Sequence, residues 1–330
     1  MTNVAIVGAG LAGLTCAQSL SGHGVNVRVF EKSRGAGGRL STRRTDAAQF
    51  DHGAQYFTVR DPRFERFVKE QVSLGVVAPW HPRTTEPAPE VWYVACPGMS
   101  ALGRAQAKGL DVVFQTRVVK ISKSGADQTW TLAMEDGTSV GGFDAVVLAI
   151  PNEQAIVLLE PHAPQWAERM SEVAMLPCWT VMLSTAHALT DLDADLPSSS
   201  VIGWWARNSS KPGRPVVSGQ HDWVIQSTAQ WTQSHLNSNA QEVGTLLISE
   251  WGKLLGAKPV VPLFPVQAHR WLYARRTPGC EQIADSLWQS DLGLGLCGDG
   301  LSHSRVEHAF LSGAILADRM IDSMSLRGTK

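Results

Sequence analysis

The chain has 330 residues, a formal net charge of −1 at pH 7 and a hydrophobic fraction of 44%. This length exceeds what one hydrophobic core usually holds, so two domains are expected. The balanced charge excludes a strong attraction to nucleic acid or anionic membranes, and no apolar run is long enough to cross a bilayer.

The N-terminal segment has the pattern of a β-α-β unit and not of a targeting signal. It opens without a basic residue, so a soluble, cytosolic protein is expected. Apolar residues 4–7 predict a buried strand, residues 11–20 a helix, and residues 25–30 a second strand. This order within about 30 residues is typical of a parallel, Rossmann-type sheet.

Further along, the pattern predicts a helix at 100–108 and strands at 112–121, 129–134 and 145–150. The sequence pattern changes between residues 160 and 286. Apolar and polar residues alternate at 180–184, 200–205 and 223–228, and a helix is predicted at 240–255. These features favour an antiparallel sheet with helices. An apolar alternation at 292–297 predicts a strand, and a helix is predicted at 306–324.

The expected architecture is therefore α/β with a second, mostly antiparallel α+β domain. The dinucleotide-binding domain is expected to be discontinuous and to comprise residues 1–60, 97–159 and 287–330. The substrate domain would comprise residues 61–96 and 160–286. The five cysteines show neither metal nor disulfide spacing, so no metal site is expected.

The turn after the first strand reads Gly8-Ala9-Gly10-Leu11-Ala12-Gly13. The first glycine permits a tight turn, the second lets a diphosphate approach the backbone, and the third lets the helix pack on the strand. Glu31 follows the second strand, where a carboxylate can accept hydrogen bonds from ribose hydroxyls. This combination predicts a dinucleotide site but does not distinguish NAD from FAD.

Two later segments favour FAD. Gly38-Arg39 ends a glycine loop soon after Glu31, and its guanidinium can bind a diphosphate. Gly298-Asp299 stands between a strand and a helix, where the carboxylate can accept a hydrogen bond from a sugar-alcohol chain, although a turn acid is the alternative. A second glycine pattern at 293, 295 and 298 is interpreted as a strand, since too little chain follows for another nucleotide unit.

The order of these motifs resembles the flavin amine oxidase superfamily. Within it, the segments 51–58 (Asp-His-Gly-Ala-Gln-Tyr-Phe-Thr) and 269–271 (His-Arg-Trp) resemble the bacterial branch of the renalase family. The resemblance implies an architecture like that of p-hydroxybenzoate hydroxylase, with extended, noncovalent FAD. The implied cofactor contacts are Gly8, Gly10, Leu11, Ala12, Gly13, Glu31, Lys32, Gly38, Arg39, Gln55, Tyr56, Phe57, Pro97, Met99, Val118, Gly298, Asp299, Arg305 and Val306.

The resemblance also implies an activity, the oxidation of 2- or 6-dihydro isomers of NAD(P)H to NAD(P)+. Hydride would pass to the flavin and O2 would become hydrogen peroxide. No catalytic base is expected, because hydride loss restores an aromatic ring. Amine oxidases commonly place an aromatic residue before a Val-Glu pair at the last helix, but Arg305 precedes Val306 here, which disfavours an amine cage.

The tryptophan-rich middle of the chain supplies the candidate substrate wall, with core packing as the alternative for any one tryptophan. The candidates are Trp204, Trp205, Arg207, Asn208, Gln226, Thr228, His269, Arg270 and Trp271. Arg207, Lys211 and Arg214 are expected on a solvated loop, with contact to a substrate phosphate as the alternative. The other functions left open are an FAD amine oxidase or desaturase and an NAD-dependent dehydrogenase. The expected partners are a small-molecule substrate and O2.

Overall fold

A computed structural model of the chain describes residues 2–125, 127–256 and 259–327, with the side chains of 325–327 left out. A few residues of each expected domain lie outside the described part of the chain. They are residues 1, 126 and 328–330 of the first domain and residues 257–258 of the second. The strands are β1 (Asn3–Val7), β2 (Asn26–Phe30), β3 (Thr42–Arg44), β4 (Gln49–Asp51), β5 (Val77–Trp80), β6 (Trp92–Ala95), β7 (Asp111–Val113), β8 (Val118–Lys123), β9 (Trp130–Met134), β10 (Ser139–Phe143), β11 (Ala145–Leu148), β12 (Met175–Thr185), β13 (Ala194–Asp195), β14 (Ile202–Arg207), β15 (His221–Ser227), β16 (Gln267–Arg276), β17 (Leu287–Gln289) and β18 (Leu294–Leu296).

The helices are α1 (Leu11–Gly22), α2 (Pro62–Ser73), α3 (Ser100–Ala107), α4 (Asn152–Leu159), α5 (Pro164–Ser171), α6 (Ala229–Ser234), α7 (Ala240–Leu254) and α8 (Val306–Arg327). Among the described residues, no helix combines the length and apolar character that crossing a membrane requires.

The first sheet is the α/β part of the fold, with strand order β17-β18-β11-β1-β2-β7. β1 pairs in parallel with both β2 and β11, and β11 pairs in parallel with β18. The first and last helices pack closely, because a Cβ on Gly313 of α8 would lie 2.1 Å from the Ala12 carbonyl oxygen of α1. A three-stranded antiparallel sheet, β10-β9-β8, shares a hydrophobic core with one face of the first sheet.

The second main sheet is antiparallel, with strand order β13-β14-β15-β12-β16. α7 covers one face, where Trp205, Trp223 and Trp251 form a fully buried core. Their ring centroids lie 5.1–6.0 Å apart, which is the normal range for packed aromatic pairs. The α/β fold with a second α+β domain is thus as the sequence predicts.

Several predicted elements differ from the observed ones. The predicted strand at 112–121 is wrong in its middle, because β7 and β8 are separated by a turn in which Gln115 has φ 54°. The predicted strand at 292–297 begins only at Leu294, since Gly293 (φ 68°) belongs to the turn after β17. Helix α2 was not predicted, although Asp61 caps it by accepting from the Arg63 and Phe64 amides.

Candidate cofactor and substrate site

A cavity of about 1830 Å³ lies between the two main sheets. Its wall includes the β1–α1 turn, the segment 52–58, part of β16, and the segment that joins β18 to α8. Small-molecule pockets typically measure about 300–1,000 Å³, so this cavity has room for more than one drug-sized molecule.

The glycine turn at the start of α1 leaves open space at the cavity wall. Gly10 is the N-cap residue of α1, so no side chain covers the first N–H groups of the helix. A Cβ added to Gly10 would meet no atom within 4 Å. A Cβ on Gly13 would instead lie 2.2 Å from the Gly8 carbonyl oxygen, so this glycine packs the helix on the strand and does not line the cavity. The first N–H groups of a helix lack partners within it, which suits an anionic group at this point.

Glu31 is fixed beside this turn. Its Oε2 accepts from the Ala9 amide at 2.8 Å, and its Oε1 accepts from the Ser33 amide at 2.8 Å. The side chain is buried but still lines the cavity. Each carboxylate oxygen retains a lone pair, so ribose hydroxyls could donate to it.

Arg39 and Asp299, both predicted to contact the cofactor, form an ion pair with each other. Arg39 Nη1 also donates to the Ala274 carbonyl at 3.1 Å, which connects the glycine loop to β16. Asp299 opens a short 3-10 turn, and α8 begins at Val306, where the sequence predicts the last helix to start.

This donor set fits FAD. The open backbone at Gly10 and the guanidinium of Arg39 could hold the diphosphate, while Glu31 could hold the adenosine ribose. Most other implied cofactor residues also line the cavity: Gly8, Leu11, Ala12, Lys32, Gly38, Gln55, Tyr56, Phe57, Val118, Gly298, Arg305 and Val306.

Besides Gly13, two implied cofactor contacts do not line the cavity. Met99 is completely buried in a core cluster, and its amide donates to Asp51 Oδ1 at 2.8 Å. Pro97 is exposed, and its carbonyl accepts from Gln49 Nε2 at 2.7 Å. Neither lines the cavity, so the structure gives no support to the contact of this loop with the flavin, which stays a prediction.

The substrate candidates divide into two groups. Five line the cavity, namely Trp204, Gln226, His269, Arg270 and Trp271. The other four do not, and the reasons are local. Trp205 lies in the core under α7, Arg207 pairs with Asp193, and Asn208 donates to the Gln49 carbonyl. Thr228 caps α6 by accepting from the Trp231 amide.

An aromatic group occupies one side of the cavity. Tyr56 stacks on Trp92 with ring centroids 4.0 Å apart, and it meets Trp204 at 5.2 Å with the rings tilted by 38°. Burial chiefly raises the pKa of the Tyr56 hydroxyl. The tyrosine is therefore a neutral part of the wall at physiological pH.

A second group, the imidazole wall, consists of His52, His269 and Trp271. The two imidazole centroids are 5.0 Å apart, and each lies within 5.2 Å of the Trp271 ring. Burial, with smaller contributions from His269 and Arg43, lowers the pKa of His52 to about 3. Burial and Arg43 lower the pKa of His269 to about 4. Both imidazoles are consequently neutral at pH 7.

A buried ionic cluster of Asp51, Lys211 and Arg214 stands behind the cavity wall. Lys211 Nζ lies 3.4 Å from Asp51 Oδ2 and donates to Gln55 Oε1 at 3.1 Å, while Arg214 pairs with the same carboxylate oxygen. Burial opposes ionisation of Asp51, but the two cations outweigh it and hold the pKa of the carboxyl below its ordinary value. The expectation that Lys211 and Arg214 lie on a solvated loop is therefore wrong. The Pro212-Gly213 pair between them is typical of an exposed turn, so the sequence did not indicate that these side chains are buried.

The fold and the site define a two-domain oxidoreductase of the dinucleotide-binding type. The sequence profile described as NAD(P)-binding Rossmann-like domain matches residues 6–71, and the profile described as Flavin containing amine oxidoreductase matches residues 84–321. Because the second match covers most of the chain, the protein belongs to the flavin-containing amine oxidoreductase family, and this membership together with the Rossmann-like domain implies a noncovalent FAD cofactor.

Solved structures show the same fold at low sequence identity. Cyclohexylamine oxidase from Brevibacterium oxydans superposes with a TM-score of 0.76 at 13% identity, covering 98% of this chain and 99% of the other. A putative protoporphyrinogen oxidase from Exiguobacterium gives a TM-score of 0.75 at 12% identity, covering 97% and 98%.

Two curated relatives match over short segments. Mitochondrial protoporphyrinogen oxidase of Nicotiana tabacum is 46% identical over 55 residues, which are 17% of this chain and 11% of the relative. L-amino-acid oxidase of Gloydius halys is 43% identical over 70 residues, which are 21% of this chain and 14% of the relative. The matched segments thus span a small fraction of each relative's length.

Proposed function

We propose that this protein is an FAD-dependent oxidase of renalase type, which oxidises 2- or 6-dihydro isomers of NAD(P)H to NAD(P)+ and reduces O2 to hydrogen peroxide. The observation that carries the proposal is a direct contact between the segments 51–58 and 269–271, which resemble the renalase family. They lie 219 positions apart at His52 and Trp271, yet Trp271 Nε1 donates to the His52 carbonyl at 2.8 Å. Both residues line the same cavity.

The chemistry of this wall supports a substrate that carries a flat ring. Tyr56, Trp204 and Trp271 present aromatic faces on which a dihydropyridine could stack. The neutral imidazoles of His52 and His269 do not repel the positive charge that grows on the ring as hydride leaves. When bound, FAD supplies the hydride acceptor.

The polar residues of the wall would fix the orientation of that ring. Gln226 Nε2 donates to the Gly53 carbonyl at 2.8 Å, which holds its amide at the cavity surface beside the imidazole wall. The protein then contributes position and electrostatics, and no general base is needed. In the same proposal, residues 1–60, 97–159 and 287–330 form the FAD-binding domain and residues 61–96 and 160–286 form the substrate domain, while His52 and Tyr56 of the first domain complete the substrate wall.

Family membership favours a flavin enzyme over the NAD-dependent dehydrogenase considered from the sequence. An amine oxidase remains the competing activity, and it predicts a different outcome in a direct experiment. The FAD-loaded protein is mixed anaerobically with dihydronicotinamide dinucleotides reduced at the 2-, 4- or 6-position, or with simple amines, and flavin bleaching is followed by stopped flow.

We expect rapid bleaching by the 2- or 6-dihydro isomer, slower bleaching by the 4-dihydro form, and none by amines. Readmission of O2 is expected to restore the flavin colour and to yield hydrogen peroxide. Bleaching by amines alone, or by none of the dihydronicotinamides, refutes the proposal.

A further inference from the structure

Two arginines at the cavity wall share one hydroxyl group. Arg104 of α3 donates from Nη1 to Ser100 Oγ at 2.7 Å, and Arg44 of β3 donates from Nη2 to the same oxygen at 3.5 Å. The Ser100 amide donates to Thr42 Oγ1 at 3.1 Å, which ties the start of α3 to β3. All three side-chain positions line the cavity.

These guanidinium groups lack a balancing carboxylate. Within the described part of the chain, neither Arg44 nor Arg104 forms an ion pair. Burial and then the charge of Arg44 lower the pKa of Arg104. Both arginines are exposed to solvent, which screens much of their mutual repulsion, and the shared neutral hydroxyl leaves guanidinium donors free to bind an anion.

Three other arginines of the cavity wall differ in this respect, whereas Arg34, Arg43, Arg270 and Arg275 also form no ion pair with the described residues. Arg39 pairs with Asp299, Arg117 with Glu135, and Arg305 approaches Glu90 at 3.8 Å. The pairing of Arg39 still leaves guanidinium donors for the cofactor diphosphate at the glycine turn. The positive charge of Arg44 and Arg104 is thus additional to the cradle that the cofactor would use.

We infer that Arg44, Arg104 and Ser100 form a subsite for a phosphate group of the substrate, so that the enzyme selects phosphorylated dihydronicotinamides over the unphosphorylated riboside. The inference rests on the proposed function. Guanidinium forks match phosphate oxygens in geometry and form charge-assisted hydrogen bonds with them. Arg43, the neighbour of Arg44, lies 3.4 Å from His269 Nδ1, so β3 extends from this subsite to the imidazole wall.

The test compares two substrates that differ only in the phosphate, dihydronicotinamide mononucleotide and dihydronicotinamide riboside, both in the reactive isomeric form. Wild type, Arg44→Gln, Arg104→Gln and the control Arg66→Gln are assayed at low and high salt. Arg66 is an exposed residue of α2 and does not line the cavity.

We expect each subsite substitution to raise KM for the mononucleotide about 10-fold or more, as befits loss of a charge-assisted hydrogen bond. The preference for the mononucleotide over the riboside should shrink by the same factor. In wild type and in Arg66→Gln, the preference should persist and weaken with salt. A wild-type enzyme that does not distinguish the two substrates overturns the inference.

Two further measurements are needed. The first tells a subsite for the substrate phosphate from one for the FAD diphosphate, and the second tells failure of this inference from failure of the proposed function. FAD affinity is measured in each variant, and a loss of FAD that parallels the loss of activity assigns the arginines to the cofactor and overturns the inference. Calorimetric titration of FAD-loaded protein with inorganic pyrophosphate needs no turnover. Binding that Arg44→Gln and Arg104→Gln abolish supports the subsite even if no dihydronicotinamide reduces the flavin, whereas absence of binding to wild type counts against it.

Discussion

Replacement of Asp51 by asparagine tests the buried ionic cluster. The side chains of Asp51 and Lys211 have no exposed surface, and that of Arg214 is 1% exposed. An asparagine can still accept hydrogen bonds, but it leaves two buried cations without a counter-charge. Breaking a buried ion pair by removing one partner typically costs about 3–5 kcal/mol. We expect a loss of that size at pH 7.

The pH dependence follows from Lys211. Burial is the main cause that lowers its pKa from 10.5 to about 8. The folded protein therefore holds this proton less tightly than the unfolded chain, and the resulting penalty is complete below pH 8 and disappears as pH rises towards 10.5. One pKa unit corresponds to about 1.4 kcal/mol, so the penalty in the wild type is about 3 kcal/mol. Without Asp51 the pKa of Lys211 should fall further, and recovery should begin at a lower pH.

The assay is chemical and thermal unfolding with saturating FAD, at pH 7 and pH 9. For a chain of this length, a loss of about 4 kcal/mol corresponds to about 6 °C in Tm. The control is Asp318→Asn, because the Arg63–Asp318 pair is 37% and 51% exposed and should contribute less than about 1 kcal/mol. An Asp51→Asn variant no less stable than this control would show that the cluster is not an ionised, buried group.

Two predictions concern the cofactor. Glu31→Ala should weaken FAD retention at least about tenfold without unfolding the protein, because the lost carboxylate fixes the turn, and a variant as yellow as wild type after gel filtration would contradict this. Gly13→Ala should lower stability by more than about 2 kcal/mol, since its Cβ would lie 2.2 Å from a backbone oxygen. Gly10→Ala, whose Cβ meets no atom, should fold normally but bind FAD poorly, and equal melting temperatures for the two alanine variants would refute this distinction.

Local sequence patterns were sufficient where the fold follows local rules. The β1–α1–β2 unit was predictable because its glycines, apolar runs and Glu31 each follow from backbone geometry within one short segment. The second sheet was predictable as a type, but its tryptophans were not predictable individually. Trp204 and Trp205 are neighbours in β14, and alternation places Trp204 at the cavity and Trp205 in the core.

The parts that could not be predicted depend on distant contacts. Lys211 and Arg214 lie in a segment with Pro and Gly, which is typical of an exposed loop, yet Asp51 more than 150 positions away draws both into the interior. The proximity of Arg44 and Arg104, which both donate to Ser100 Oγ, likewise depends on distant packing. Helix α3 packs against the glycine loop so closely that a Cβ on Gly103 would lie 2.4 Å from the Gly37 Cα. Neither arrangement has a sequence spacing that would reveal it.

The placement of β18 and α8 has a consequence for how the molecule matures. β18 completes the parallel part of the first sheet, and α8 packs directly on α1 through Gly313. A nascent chain therefore exposes the far side of α1 and the edge of β11 until residues 294–327 have been synthesised. The wall of the cavity is complete only then, so FAD loading is expected to follow the synthesis of α8, and chains truncated before α8 should accumulate as colourless, protease-sensitive species.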